Sequence, residues 1–596
     1  MLRAGRSGVG LAAIGGTLVT LGVGLQAQSA VRARRDAEAH RPVEVHSQRY
    51  VSSNECRSCH PREYASWSSS YHHTMTQLAT PESVVGNFDG VPLGAAPVYK
   101  LGRAERGYYV DIARTAGAPA ERRPITLVTG SHHMQIYWYE TGHDRALGQL
   151  PWVFLKDDRR WVPRNAIFIE PPDTLKPASE GRWNASCIAC HTTLGQPRID
   201  ARGKFDTQVA EFGIACEACH GPGEEHVARN HSPLTRYLRH VSGGGDQAIV
   251  QPDKLTHQRA SYVCAQCHAT WLYDGPASMR DWNEHGPAFR PGGDPPASVW
   301  VLQLSHAAVD PRVANALMSD SSYVEGQFWS DGVMRVSGRE FNGMVDSPCY
   351  ERGELACTSC HDMHQHEGDA RSVDAWRVAQ LDADKLGDRG CLQCHQRYAT
   401  SIEQHTHHAA TSEGSRCYNC HMPYTSYGLL KGIRSHRIDT PSVAATLGAG
   451  RPNACNLCHL DKTLQWTARQ LRERHGIESP PITGDEAEVP VGLLLGLRGD
   501  AGQRALIAWA LGWEGAKQAS HDAFEPQLLA VLLRDPYDAV RYIAAHAQRG
   551  RGLRDDDYLQ RPDPSDPVLA RVAPEQRPLF ERLLSERDQR PVRLLE

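Results

Sequence analysis

Apolar and polar positions follow two different rhythms along this chain. Between about residues 95 and 175 the apolar residues come in short β-branched and aromatic runs. These are Tyr108-Tyr109-Val110, Ile125-Thr126-Leu127-Val128, Gln135-Ile136-Tyr137-Trp138-Tyr139 and Trp152-Val153-Phe154-Leu155, with Gly and Pro turns between them. That pattern predicts a small antiparallel sheet. The segment Arg290-Pro291-Gly292-Gly293-Asp294-Pro295-Pro296 reads as a surface loop. Near the C-terminus the rhythm becomes helical. Leu464 to Arg474 predicts a helix that Ser479-Pro480-Pro481 ends. From about 490 to 548 apolar residues recur at helical spacing. Arg504 leads into Ala505-Leu506-Ile507-Ala508, and Arg541, 37 residues later, leads into Tyr542-Ile543-Ala544-Ala545. That interval is near the period of two-helix solenoid units; an ordinary helical extension fits the pattern equally. At the N-terminus Arg3 and Arg6 precede an uncharged stretch from Gly8 to Ala30, with a small-residue cleavage site at Ala27-Gln28-Ser29. Residues 1–30 therefore read as a signal peptide or an uncleaved N-terminal anchor, and either one exports the chain. No second run is long enough to span a membrane.

Composition changes the picture through two residue types. The 596 residues carry a net charge of −4 and 40% apolar content, a little low for a globular chain. No basic stripe appears, which argues against a nucleic-acid partner. The histidine count is 30 and the cysteine count 17. Sixteen of those cysteines fall into eight copies of Cys-x-x-Cys-His: Cys56/Cys59, Cys187/Cys190, Cys216/Cys219, Cys264/Cys267, Cys357/Cys360, Cys391/Cys394, Cys417/Cys420 and Cys455/Cys458. The histidines that follow are His60, His191, His220, His268, His361, His395, His421 and His459. This is the attachment motif of c-type haem. Two thiols add across the haem vinyl groups, and the next residue offers an imidazole to the iron. Zinc also uses Cys-x-x-Cys pairs, two per ion, but has no need of a histidine after every second cysteine. A thioredoxin-like pair occurs once, and disulfide frameworks belong to short secreted chains. Eight covalently attached haems are the expectation, and they also supply apolar surface that the side chains lack.

The sixth position on each iron decides what a haem does, since a second histidine closes the site and a vacant position opens it. Histidines outside the motifs are candidates. His72 follows the first motif and His132-His133 precede the Gln135–Tyr139 run. His226 follows Gly221-Pro222-Gly223. His364 is too close to His361 to share its iron and is free for another. His405 and His408 would share a helix face and reach two neighbouring irons. His436 completes the set. His40, His46, His475, His521 and His546 lie outside the haem region and read as surface side chains.

The run Cys216-Glu217-Ala218-Cys219-His220-Gly221-Pro222-Gly223…His226 resembles the multihaem c-type cytochromes of the nitrite reductase and hydroxylamine oxidoreductase superfamily. So do Ser347-Pro348-Cys349-Tyr350 leading into Cys357–His364, and His405-Thr406-His407-His408 ahead of Cys417–Pro423. The resemblance covers roughly residues 50–460. It implies a mainly α, loop-rich fold over 48–460 with haems in close pairs forming a chain. The β-rich insertion sits inside that region, and the α-helical repeat-like segment over 461–596 resembles HEAT repeats. No motif here carries the lysine that replaces histidine at the catalytic haem of the pentahaem nitrite reductases. Only Cys349 could play the cysteine of the tetrathionate-reducing relatives.

Two functions follow. The uniform motifs and surplus histidines point to an exported electron carrier. The resemblance and the odd thiol Cys349 point instead to a reductase or oxidoreductase of a small nitrogen or sulfur compound at one open haem. In either case the partners are redox proteins, with the C-terminal helices as a docking surface. Membrane attachment through the N-terminus and oligomerisation are compatible with both.

Overall fold

The computed structural model describes residues 38–594 apart from Arg106, 173–179, Gly244, Asp522–Ala523 and 550–566. The N-terminal stretch Gly8–Ala30 lies outside the described residues. Among the described residues no helix is long and apolar enough to cross a membrane. The chain is mostly helical with a sizeable β component.

Most of the β component is one eight-stranded antiparallel sheet, larger than the small insertion expected; four two-stranded pairings lie outside it among the described residues. Its strands are β1 (Thr76–Leu78), β2 (Pro92–Leu93), β3 (Val98–Ala104), β4 (Gly107–Ala113), β5 (Glu121–Thr129), β6 (Met134–Glu140), β7 (Leu147–Leu155) and β8 (Arg160–Pro163). Strands β2 to β8 follow one another as a meander. β4 pairs with residues 121–125 of β5, and β1 takes up residues 127–129 along the same edge. The first three strands escaped the sequence pattern because they are short or carry polar residues on their exposed positions.

Alternation along β7 explains what the sheet holds together. Phe154 and Leu150 join an aromatic core with Phe88, Tyr99, Tyr108 and Tyr137. Val153 and Leu155 point the other way, into the largest core of the molecule. That core contains the C-terminal helices α1 (Ala501–Gly512), α2 (Phe524–Leu532), α3 (Asp538–Arg549) and α4 (Arg577–Ser585). Leu457 and Leu460, around the last Cys-x-x-Cys-His motif, join it too. The C-terminal helices therefore share a core with the sheet and the last motif. A third cluster sets Leu127, Trp138 and Leu147 of the sheet against Trp183 and Ile188. Ile188 lies between the cysteines of the second motif, so the sheet supports that motif directly.

α1 starts with a reciprocal cap. Asp500 accepts from the Gln503 amide while the Gln503 side chain accepts from the Asp500 amide. Arg504 and Arg541, each 1% exposed, occupy matching places in α1 and α3. Both reach the turn at Asp535. Arg504 donates to the Asp535 carboxylate at 2.6 and 3.0 Å, and Arg541 donates to the Asp535 carbonyl at 2.6 Å. Breaking a buried pair by removing one partner costs about 3–5 kcal/mol. Arg504→Ala is therefore expected to lower the thermal unfolding midpoint measured by circular dichroism. The exposed-surface control Arg236→Ala should leave it in place.

Candidate functional site

The Cys-x-x-Cys-His spacing works because each motif closes one helical turn. The His60 amide donates to the Cys56 carbonyl at 2.8 Å, His361 to Cys357 at 2.9 Å, His395 to Cys391 at 3.0 Å and His459 to Cys455 at 2.8 Å. One turn brings positions i, i+3 and i+4 to the same side. Both sulfurs and the imidazole thus face one ligand. Among the described residues no group of three or more His, Cys, Asp or Glu converges on a metal-ion position, so the cysteine pairs do not assemble into four-sulfur zinc sites.

Six motif histidines have a second histidine ring opposite them at nearly constant distance. The ring centres are 6.2 Å apart for His60–His226 and 6.3 Å for His268–His72. They are 6.3 Å apart for His220–His364 and 6.5 Å for His361–His436. His421–His405 and His459–His408 stand at 6.2 and 6.3 Å. An imidazole nitrogen about 2 Å from a metal on each side puts two ring centres about 6 Å apart. Rings in direct contact would come closer; His132 and His133 stack on each other at 3.5 Å. The six gaps therefore have the width of one iron, and the residues present fit haem c.

Local structure explains how the partners arrive. Gly221, at φ +78°, ends the motif helix Cys216–His220. The following helix, Glu224–Asn230, brings His226 back to the first motif. His405 and His408 do not share a helix face. The helix Ile402–Thr406 stops and His407 takes a left-handed conformation, φ +56°. The turn splays the two rings toward successive motifs. His364 faces the third motif rather than its neighbour His361.

Outer nitrogens of several of these rings are held as well, whereas His364 Nδ1 is buried without a hydrogen-bond partner. His220 Nδ1 meets the Val250 carbonyl at 2.8 Å, His361 Nδ1 that of Ala379 at 2.9 Å and His421 Nδ1 that of Asp439 at 2.8 Å. His72 Nδ1 meets Gln380 Oε1 at 2.7 Å, His226 meets Asp246 at 2.9 Å and His268 meets Glu340 at 2.7 Å. Burial pushes His72 and His191 down to about 4, so both rings are neutral at pH 7, the form that binds metal. Burial acts on His268 the same way, but the Glu340 carboxylate outweighs it and the net shift is upward. None of these second partners carries a local sequence signal.

The remaining candidates are placed elsewhere. His132 stacks on Tyr71 at 4.3 Å, and His133 Nε2 accepts from Lys431 at 2.9 Å. His133 borders a cavity of about 500 Å³ lined by Trp509, Trp513, Asp158 and Tyr542. Neither ring faces a motif histidine. Cys349 is half-buried in the turn Pro348–Glu351. Burial, then the neighbouring Cys391 and Cys394, push its thiol up, which disfavours the reactive thiolate. His475 stands 6.0 Å from His405 and 5.3 Å from His407. It lies beside the haem region although its sequence position suggested otherwise. Among the described residues no histidine faces His191 or His395 at the six-pair spacing.

The motifs also touch one another in an order. Cys56 meets Cys216, Cys267 meets Cys190, Cys264 meets Cys357 and Cys417 meets Cys391. Gln266 of the fourth motif donates to Ala218 of the third at 2.7 Å, and Gln393 of the sixth donates to Ser359 of the fifth at 3.1 Å. The helices of the seventh and eighth motifs are in contact. The resulting path runs first, third, fourth, fifth, sixth, seventh, eighth, with the second beside the fourth.

Residues 161–286, which hold the second, third and fourth motifs, match the family model described as Cytochrome c552. Over this stretch the chain is similar to multihaem c-type cytochromes, and covalently bound haem c goes with that likeness. No curated protein matches the chain. One solved structure it is similar to is the outer cell wall cytochrome OcwA, at 17% identity and a TM-score of 0.47, covering 84% of this chain and 100% of that one. Another is the undecahaem cytochrome from the S-layer of Carboxydothermus ferrireducens, at 15% identity and a TM-score of 0.33, covering 85% of this chain and 70% of that one. At these scores neither neighbour fixes the fold.

The face-to-face pairs give a direct test. His408→Ala is expected to convert one haem from low to high spin in the electron paramagnetic resonance spectrum. His405→Ala should do the same to a different haem, and the double variant to two. Haem content by mass spectrometry should stay unchanged, because the thioether links do not involve these rings.

Proposed function

We propose that this chain is an exported octahaem c-type cytochrome that carries electrons along its row of motifs. The six histidine pairs with iron-wide gaps carry the reading. Each motif would hold one haem through its two cysteines and its histidine. His226, His72, His364, His436, His405 and His408 would close the far sides. Haem bound there supplies a one-electron redox couple at each position. The chain's own part is to keep six of these couples closed to substrate and all of them next to another. Direct side-chain meetings such as Cys56 with Cys216 and Cys264 with Cys357 support that closeness. The N-terminal pattern of Arg3, Arg6 and Gly8–Ala30 supports export. The ends of the path are where redox partners would dock: His60 and Cys59 are exposed at the first motif.

A second reading rests on His191 and His395, which have no histidine opposite among the described residues. One of them would then serve as the open haem of a multihaem oxidoreductase acting on a small nitrogen or sulfur compound. His191 is the better placed, since its Nδ1 is buried without a hydrogen-bond partner. Cys349 is not needed for this reading.

Purified protein should weigh its polypeptide plus eight haems, and oxidised spectra should show six low-spin haems and two others. A high-spin signal spread over most of the haems would overturn the carrier reading. Cyanide or nitrite that shifts the Soret band of the two others, and leaves six unmoved, would favour the second.

A further inference from the structure

The fourth motif differs from its neighbours in what holds its histidine. His268 ends the helix His257–His268, and its Nδ1 lies 2.7 Å from Glu340 Oε2. The other carboxylate oxygen, Oε1, accepts from the Gly338 amide at 2.9 Å. Where the third, fifth and seventh motifs have a backbone carbonyl at this position, the fourth has a full negative charge. One other ring of the six pairs meets a carboxylate, His226 at Asp246. That charge is matched, since Arg239 pairs with Asp246 at 2.5 Å. Among the described residues Glu340 has His268 as its single ion-pair partner.

A carboxylate on the outer nitrogen makes an imidazole a stronger donor and fixes its tautomer. A stronger donor and a nearby unmatched anion both favour ferric over ferrous iron and so lower the potential. The fourth motif is also the junction of the row, bordering the second, third and fifth. We propose that Glu340 is a positioning residue that sets the potential of the junction haem below those of its three neighbours. This inference rests on the reading that His268 ligates a haem held by Cys264 and Cys267. In a reductive titration the junction would then be the last of the four to gain its electron, which keeps it free to pass charge between the two arms and the second motif.

Glu340→Gln in the full-length, haem-loaded protein tests this. Spectroelectrochemical titration should show one midpoint moved upward and the rest unchanged. One low-spin resonance signal should shift its g values, while haem content stays at the wild-type count. Glu340→Asp keeps the charge at greater distance and should move the same midpoint by less. Midpoints that overlay the wild type in Glu340→Gln, with haem content intact, would overturn the proposal. Loss of that haem in both variants would also overturn it, in favour of a purely structural role. Failure of the ligation reading is visible separately: His268→Ala would then leave every low-spin signal in place.

Discussion

On the proposed reading, the gap between two imidazoles is the constraint around which this molecule is built. A ring pair closer than about 6 Å has no room for a metal between its nitrogens, and a wider pair cannot bind one from both sides. Six pairs fall between 6.2 and 6.5 Å, although sequence separation within a pair ranges from 16 residues for His405–His421 to 196 for His72–His268. Interplanar angles vary far more, from 4° for His405–His421 to 66° for His72–His268. Metal ligation would fix the distance and leave ring rotation about the metal–nitrogen axis to the surroundings, among them the hydrogen bonds that several of the outer nitrogens make.

Much of the remaining structure keeps these gaps open. Short motif helices are weak elements alone, since isolated helices of fewer than about 12 residues are marginal in water. They are held from outside. The antiparallel sheet packs Trp138 and Leu147 on Ile188 of the second motif. The C-terminal helices share their core with Leu457 and Leu460 at the eighth. Those helices thus brace the last motif as well as the sheet. The buried Arg504–Asp535 pair fixes their register at the cost of desolvating two charges.

How much of this was legible in the sequence depends on the range of each interaction. Cys-x-x-Cys-His is read at once because its chemistry fits within one helical turn. Strands β4 to β7 are legible from alternating runs such as Tyr108–Val110. Thr76–Leu78 and Pro92–Leu93 are not, because two or three residues make no period. His364 could be excluded from its neighbour's iron by spacing alone. That it would face His220 could not be read, since the fold brings them together. His405 and His408 are three apart, yet the left-handed turn at His407 takes them off a common face, a conformation no helical pattern announces. Surplus histidines do not label themselves: His132 and His133 look like ligands in sequence and stack against each other instead. Glu340 and Gln380 carry no local signature either, because they are recognised only by what lies across from them.

The most direct test is an experimental structure of the haem-loaded protein, read for the nitrogen atoms bonded to each iron. The account predicts His60 with His226, His268 with His72, His220 with His364, His361 with His436, His421 with His405 and His459 with His408, and no second histidine on the irons of His191 and His395. Irons at the paired motifs bound by other side chains, or left with a single histidine, would contradict it.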